Sequence, residues 1–400
     1  MDDVIVIGAG AAGLAAARRL AAQSLRVVVV EARERVGGRA WSVSLARAAV
    51  PAELGAEFIH GHAAETMALL REAGRAAIDT GGESWTFADG ALRLRHDDDF
   101  VAAATIFKEA SSLRDDESVD RFLQHFEGDG ATRNAARAAR SFAEGFDAAD
   151  PELASARAIA DEWQSGVDSV SARPLGGYRP MFEHLRSACD AAGVQMELST
   201  RVRRIAWGHG DVRVVVDGRG MDSRTMRARA AIVTVPVGVL RHTGDESEIV
   251  FDPLLSAAKR EALNSIEMGR VVRVVLSFRT AFWERICDGR YRDGAFFRSP
   301  EQSFASYWTQ LPVRSELVVA WAGGPKATAL AGLTQNDLIE LIGAGAITLP
   351  TLAVQALFLL ASAVVMMLFI GIHNAWDIVT YLAIDNPEQP ATSSDNDNSA

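Results

Sequence analysis

The sequence predicts an α/β protein that begins with a Rossmann-like nucleotide-binding unit. One observation is a glycine-rich turn, Gly8 to Gly13, between an apolar segment at residues 4–7 and an alanine-rich stretch. The other is a run of short segments rich in β-branched and aromatic residues between residues 271 and 321, which indicates an antiparallel sheet. With 400 residues, the chain is long enough for two or three domains.

The glycine-rich turn has the spacing of a dinucleotide-binding motif. Gly8 suits the tight turn, Gly10 lets the backbone approach a diphosphate, and Gly13 lets the following helix pack closely. The diphosphate would lie at the helix N-terminus, where unpaired N–H groups and the macrodipole offset its charge. A second apolar strand, residues 27–30, ends in Glu31, whose carboxylate can accept hydrogen bonds from ribose hydroxyls and would repel a 2′-phosphate. The motif therefore predicts a dinucleotide cofactor other than NADP.

Two more glycines and an arginine follow the second strand, in the segment from Arg35 to Arg39. Arginine suits a diphosphate because its planar fork donates two parallel hydrogen bonds to phosphate oxygens. Residues 31–39, EARERVGGR, resemble the flavin-containing amine oxidase family, which includes monoamine oxidases, polyamine oxidases and histone-demethylating relatives. The resemblance implies FAD as the cofactor. The contacts it implies in this part of the chain are Gly8, Gly10, Gly13, Glu31, Ala32, Arg33, Gly38 and Arg39.

Later segments extend the resemblance over about residues 3–340. Residues 54–61, LGAEFIHG, resemble the family segment that lies against the flavin, which implies cofactor contacts at Gly55, Ala56 and Glu57. Residues 200–205, TRVRRI, resemble a strand on the adenine side, which implies a contact at Val202.

The resemblance also implies two interleaved domains. A Rossmann-like FAD-binding domain would comprise residues 1–78 and 174–245, and an α+β substrate domain would comprise residues 79–173 and 246–340. The stretch from 97 to 163 is rich in alanine, arginine and acidic residues with few helix breakers, which predicts several amphipathic helices there.

The function implied by the resemblance is that of an FAD-dependent oxidoreductase. It would oxidise a primary or secondary amine to an imine by hydride transfer to the flavin, with dioxygen as the electron acceptor. Many members hold a water near the flavin with a lysine four residues after a glycine, and counting from Gly269 places Arg273 there. Arg273 is therefore the candidate catalytic residue, although arginine stays protonated and has a bulkier head. A solvated strand arginine is the alternative interpretation, because alternate residues of a strand face opposite sides.

Composition excludes several other classes of protein. Cys189 and Cys287 match neither a disulfide framework nor a metal site, so no bound metal is expected. The net charge is −11 and no basic patch indicates a nucleic-acid partner. The expected partner is a small-molecule amine, and the oligomeric state stays open.

The C-terminal part of the chain has a different composition, since every Lys and Arg lies at or before Lys326. The apolar run within residues 350–372 is long enough to cross a hydrocarbon core of roughly 30 Å and predicts a transmembrane helix. A disordered acidic tail is expected over residues 385–400. Because basic residues lie only before this helix, the positive-inside tendency predicts a single-pass membrane protein with a cytoplasmic flavin domain. A buried helix in a cytoplasmic protein is the alternative.

This C-terminal part also lacks the glycine-rich segment, the Gly-Glu pair and the terminal helix by which family members return to the flavin. Three interpretations stay open: an incomplete active site, a fusion or truncation that keeps the flavin half, and a partner chain that supplies the rest. The alternative function is accordingly a degenerate, non-catalytic, membrane-anchored interaction module.

Overall fold

The structure, a computed structural model, describes residues 2–46, 48–95, 98–128, 130–164, 171–218, 221–347 and 378–383. The predicted transmembrane helix at residues 350–372 and the predicted acidic tail at residues 385–400 lie outside these described residues.

Strands and helices alternate in the first part of the chain, and strands dominate after it. The strands are β1 (Asp2–Ile7), β2 (Val27–Val30), β3 (Ser42–Val43), β4 (Ala52–Glu53), β5 (Ile59–His60), β6 (Ala77–Asp79), β7 (Glu83–Ala88), β8 (Ala91–Arg95), β9 (Ser171–Pro174), β10 (Gln195–Glu197), β11 (Thr200–Gly208), β12 (Asp211–Gly218), β13 (Met221–Val233), β14 (Val250–Asp252), β15 (Val271–Ser277), β16 (Gly294–Arg298), β17 (Ser306–Trp308), β18 (Leu317–Gly323) and β19 (Ile378–Ala383). The helices are α1 (Ala11–Ala21), α2 (Ala64–Glu72), α3 (Asp98–Ala110), α4 (Val119–Gln124), α5 (Gly130–Gly145), α6 (Ala156–Gln164), α7 (Arg179–Ala191), α8 (Val237–Arg241), α9 (Ala257–Asn264), α10 (Gly324–Ala329) and α11 (Gln335–Ile347), with short 3-10 helices at Phe282–Glu284 and Ile286–Gly289.

The first sheet contains the predicted nucleotide-binding unit and has the strand order β10-β2-β1-β13-β12-β11-β14. Strands β10, β2, β1 and β13 run parallel. Parallel strands are covered on both faces, which explains why the four valines of β2 are all buried. The carboxyl ends of β1 and β2 meet at one edge, where the N–H of Gly8 donates to the carbonyl oxygen of Val30 at 2.8 Å. Ligands of open α/β sheets bind at such an edge.

The second sheet confirms the antiparallel sheet expected from the β-branched and aromatic segments. Its order is β19-β15-β18-β17-β16-β7-β8, and β15, β18, β17 and β16 pair antiparallel in turn. Strand β7 joins β16 from a distant part of the chain. The smaller pairings β3-β4 and β5-β9-β6 lie in segments that connect the two large sheets.

The predicted helical stretch forms α3, α4, α5 and α6 around a core that includes Phe107, Phe122, Phe142 and Trp163. The end of α5 lies against the second sheet, because Trp321 Nε1 donates to the carbonyl of Gly145 at 2.7 Å. The helical unit is therefore packed on the face of β18.

The prediction of a single-pass membrane protein with a cytoplasmic flavin domain is wrong. Within the described ranges, the structure contains no helix that combines the length and the apolar character needed to cross a bilayer. Strand β19 follows the apolar run and β15 precedes it, and the two strands pair in parallel within one sheet. A single crossing would instead separate these two parts of the chain by a hydrocarbon core of about 30 Å.

Candidate active site

The turn after β1 requires glycine at two of its three motif positions. Gly8 has a φ of +106°, a region that residues with a Cβ rarely adopt. A Cβ on Gly13 would lie 1.8 Å from the carbonyl oxygen of Gly8, so any side chain there would push α1 away from β1. The structure thus shows the physical reason for both glycines.

The third motif glycine faces a second glycine segment. A Cβ on Gly38 would lie 3.2 Å from the Cα of Gly10, and the N–H of Gly37 donates to the carbonyl oxygen of Ala9 at 2.9 Å. The two backbone segments therefore run side by side without side chains between them. We call Gly8, Gly10, Gly13 and Gly38 the glycine cradle, and its open backbone at the N-terminus of α1 fits a diphosphate.

Arginines lie beside the cradle. Arg33 and Arg35 each donate a hydrogen bond to the carbonyl oxygen of Gly38 at 2.9 Å. Burial lowers the pKa of Arg33 and of Arg39, and it lowers the pKa of Arg35 to about 10. The lowered pKa values show that neighbouring carboxylates do not fully offset the cost of burying these positive charges. An anionic ligand would offset that cost, so this group of arginines suits one. The sequence interpretation named Arg33 and Arg39 but missed Arg35, although the Arg-Glu-Arg alternation was a usable signal.

Glu31 lies at the end of β2 and is 8% exposed. Its Oε2 accepts from the N–H of Ala9 at 2.7 Å, and its Oε1 accepts from the N–H of Arg33 at 2.9 Å. Each oxygen keeps one acceptor position, which is what two ribose hydroxyls need. Ala32 is exposed beside it.

Val202 is brought next to Glu31 by the pairing of distant strands. The N–H of Thr200 donates to the carbonyl oxygen of Glu31 at 2.9 Å, and Val202 follows on the same strand, buried. The ladder between β11 and β12 shifts register between Val202 and Arg204. Such a bulge leaves backbone groups outside the ladder, where they can bind a ligand.

Residues 54–57, here called the Gly55 segment, are held against the backbone that follows the cradle. A Cβ on Gly55 would lie 1.8 Å from the carbonyl oxygen of Arg39, which accepts a hydrogen bond from the N–H of Ala56 at 3.1 Å. The close approach explains the glycine. The structure thus places Gly55 and Ala56 next to Arg39.

Glu57 is the centre of a buried polar cluster. Its carboxylate accepts four hydrogen bonds, from Arg173 Nε at 2.9 Å, Trp308 Nε1 at 3.0 Å, Gln310 Nε2 at 3.2 Å and an Nη of Arg273. A carboxylate has about four acceptor positions, so all of them are filled. We call Glu57, Arg173, Arg273, Trp308 and Gln310 the Glu57 cluster. Arg173, Trp308 and Gln310 were not predicted, because nothing in their local sequence indicates a shared partner.

The cluster holds Glu57 ionised. Burial alone would raise the pKa of the Glu57 carboxyl, but Arg273 and Arg173 outweigh burial and hold the pKa below its ordinary value. Burial lowers the pKa of Arg173, although Glu57 opposes this shift. The lowered pKa values of Glu57 and Arg173 agree with an arrangement in which two arginines share one carboxylate. The cluster therefore has a net positive charge.

Arg273, the predicted catalytic residue, is 2% exposed. One Nη donates to the carbonyl oxygen of Gly55 at 3.0 Å and the other to Glu57, while the guanidinium lies 5.4 Å from the Trp308 ring centroid. Its burial excludes the alternative of a solvated strand arginine. Its donors face the Gly55 segment, and a catalytic role for it stays a prediction.

A second buried carboxylate, Glu53, precedes the Gly55 segment. Its Oε1 accepts from Ser42 Oγ at 2.6 Å and from the N–H of Tyr178 at 2.9 Å, while Ser42 Oγ accepts from the N–H of Arg179 at 3.0 Å. Tyr178 provides no side-chain cap for α7. Glu53 and Ser42 therefore satisfy the N-terminal N–H groups of α7 from another part of the chain.

Aromatic side chains extend from the cluster toward the helical unit. Ring centroids lie 5.6 Å apart for Phe58 and Trp308, 5.8 Å for Trp308 and Trp321, and 4.9 Å for His60 and Phe146. Burial lowers the pKa of His60, which favours its neutral form. These residues form an apolar wall beside the positive cluster.

A sequence model of the family described as flavin containing amine oxidoreductase matches residues 11–80 and 88–343. The matched span includes Gly13 and Gly38 of the glycine cradle and the whole Glu57 cluster. The chain belongs to the flavin-containing amine oxidoreductase family. Membership confirms the predicted family and its cofactor, FAD.

Two relatives within the family show how much of the chain is shared. Polyamine oxidase 2 of Arabidopsis thaliana is 28% identical over 315 residues, which cover 71% of this chain and 60% of the relative. Putrescine oxidase of Kocuria rosea is 28% identical over 323 residues, which cover 70% of this chain and 65% of the relative. The matches span less than two thirds of the length of either relative.

The fold is shared with solved structures of amine oxidases. Cyclohexylamine oxidase from Brevibacterium oxydans IH-35A superposes with a TM-score of 0.71 at 20% identity, over 88% of this chain and 82% of that one. This likeness confirms the mixed α/β fold predicted from the sequence.

Proposed function

We propose that this chain binds FAD and oxidises a primary or secondary amine to an imine, with dioxygen as the electron acceptor. The observation that carries the proposal is the contact between the backbone of Arg39, next to the glycine cradle, and the Gly55 segment, which leads into the Glu57 cluster. This contact brings the cradle, where we propose that the diphosphate binds, next to a buried, positively charged cluster with an aromatic wall. The names of the relatives, polyamine oxidase and putrescine oxidase, support an amine as the substrate.

The residues that would hold FAD have separate tasks. The glycine cradle and Arg33, Arg35 and Arg39 would bind the diphosphate, Glu31 the ribose, and the backbone near Val202 the adenine side. Gly55, Ala56 and Glu57 would lie toward the flavin ring. Bound flavin supplies an acceptor for the hydride of the amine.

The protein would position the reacting groups and shield them from bulk solvent. Arg273 fixes the Gly55 segment through its bond to the Gly55 carbonyl, and the buried Glu57 cluster keeps bulk solvent away on that side. Trp308 and Trp321 offer ring faces that suit an amine. We propose Arg273 as the residue that keeps a positive charge at this end of the site, either in contact with the reacting groups or through the Gly55 segment.

We also propose the division into an FAD-binding domain and a substrate domain. Strands β1, β2 and β10 to β13 of the first sheet come from residues 1–78 and 174–245, in support of that division. Strand β14, Val250–Asp252, joins the same sheet, so we extend the FAD-binding domain to residue 252.

The test is a visible absorption spectrum of the purified protein, followed by addition of an amine without oxygen. We expect flavin absorption bands that bleach with putrescine, a diamine, or with cyclohexylamine, a monoamine. A protein that neither retains flavin nor takes up added FAD would overturn the proposal. Bound flavin that neither amine reduces would instead identify a non-catalytic flavoprotein.

A further inference from the structure

Glu53 is a buried carboxylate whose two oxygens differ. The residue is 7% exposed, and its Oε1 accepts the two hydrogen bonds from Ser42 and Tyr178 described above. Its Oε2 is buried and has no hydrogen-bond partner among the described residues. An ionised oxygen left in this state carries a large desolvation cost.

A small cavity lies against Glu53. Its volume of about 30 Å³ is sufficient for a water molecule, and Glu53, Glu57, Arg173 and Gln310 are among its lining residues. Leu175, 47% exposed, forms part of its rim, so the cavity lies close to the surface. The lining is mixed, and its carboxylate, guanidinium and amide groups provide the polar partners that a water molecule needs.

Burial and the charge of Glu57 disfavour a second ionised carboxylate here. Glu57 already carries a negative charge on the same cavity, and the nearby guanidinium groups donate to Glu57 rather than to Glu53. Burial raises the pKa of Glu53 above its ordinary value, and Glu57 adds to this shift, against the opposing hydrogen bonds from Ser42 and Tyr178 and the positive charge of Arg273. The titratable and charged groups around Glu53 on the packed elements are Glu57, Arg173, Tyr178, Arg179 and Arg273.

We propose that Glu53 is a neutral carboxylic acid that carries its proton on Oε2 and donates it in a hydrogen bond to one water molecule in this cavity. Oε1 then serves as the carbonyl oxygen that accepts from Ser42 and from the N-terminus of α7. The segment from Glu53 to Glu57 consequently holds one negative charge instead of two, and the Glu57 cluster keeps its net positive charge. The site goes beyond the amine chemistry and does not depend on it.

Infrared spectroscopy of the full chain tests the protonation state. We expect a protonated-carboxyl stretching band near neutral pH that is lost in Glu53→Gln, a variant of the same size and shape. Burial raises the pKa of Asp147 to about 7, so Asp147 contributes a band of its own, and Asp147→Asn is the matched control that must leave the Glu53 band in place. A spectrum of Glu53→Gln that equals the wild type in this region would show an ionised Glu53 and overturn the proposal.

A second variant covers the case in which Glu53→Gln does not fold. Ser42→Ala removes one donor to the carbonyl oxygen, so the Glu53 band should move to higher frequency, and an unmoved band would contradict the assignment. The water molecule is tested by a high-resolution crystal structure of the wild type. Density within hydrogen-bond distance of Oε2 is expected, and a dry cavity would overturn the water site.

Discussion

The glycine cradle and the Glu57 cluster are connected through the contact between Arg39 and the Gly55 segment, but they arise in opposite ways. The cradle comes from residues 8–38 and works because side chains are absent where two backbones meet. The cluster joins five side chains from distant parts of the chain, and it works through charge and hydrogen bonding in a buried site. The comparison teaches that the cradle should be sensitive to added volume, whereas the cluster should be sensitive to loss of a single charge.

The largest expected effect is at the centre of the cluster. Glu57→Ala leaves Arg173 and Arg273 buried without their shared carboxylate, and breaking such a pair costs about 3–5 kcal/mol of unfolding free energy. Denaturant unfolding measures the loss. The control is Arg314→Ala. The Arg314 side chain is 42% exposed, so loss of its ion pair with Asp293 should cost about 0–1 kcal/mol. Equal losses of unfolding free energy in the two variants would show that Glu57 does not hold the two buried arginines as described.

The next effect is at the cradle. Gly13→Ala places a Cβ against the carbonyl oxygen of Gly8, so it should cost about 1–3 kcal/mol of stability and yield protein purified without flavin. Gly81→Ala is the control, because a Cβ there meets nothing within 4 Å. Stability comes from denaturant unfolding and flavin content from the absorption spectrum. Retention of flavin by Gly13→Ala at the wild-type level would contradict the close contact between α1 and β1.

A smaller effect is expected at an arginine that the sequence interpretation missed. Arg35→Met removes a positive charge beside the cradle and the hydrogen bonds that hold the carbonyl groups of Val36, Gly38 and Ala40, so FAD affinity should fall about tenfold, which corresponds to about 1.4 kcal/mol. Quenching of flavin fluorescence on binding measures the affinity. Arg93→Met, which changes an Arg side chain that is 63% exposed, should leave it unchanged. Unaltered affinity in Arg35→Met would remove Arg35 from the cofactor site.

The smallest effect separates the two carboxyls by pH. The raised pKa of Glu53 means that the native state holds a proton that the unfolded chain releases above the ordinary pKa of 4.5, so the unfolding free energy falls as pH rises toward the raised pKa. The lowered pKa of Glu57 acts in the opposite direction, and its contribution is lost only as pH falls below 4.5. Unfolding free energies of the wild type and Glu53→Gln, measured over the pH range above 4.5, should therefore diverge as the pH rises, with the wild type losing more stability. Parallel curves would indicate that Glu53 is ionised at every pH in that range.

Much of the fold could be predicted because its signals are local. The glycine spacing, the four valines of β2 and the β-branched segments each report on backbone geometry within a few residues. The membrane prediction failed because hydropathy measures the transfer of side chains out of water. It carries no information on which strand the following segment pairs with. The return of β19 to β15 is a long-range pairing that no local pattern encodes.

The spacing of glycines and the acidic end of β2 were sufficient to predict a dinucleotide site, since backbone approach and ribose recognition depend on residues close in sequence, and the family resemblance of residues 31–39 implied that the dinucleotide is FAD. The partners of Arg273 and the contrast between Glu53 and Glu57 were not predictable in this way. Two carboxyls four residues apart acquire opposite pKa shifts because folding places arginines from β9 and β15 against Glu57 and buries Glu53 without a hydrogen bond from either arginine. Charge state in this site is therefore a property of distant neighbours and burial, which exist only once the two sheets have come together.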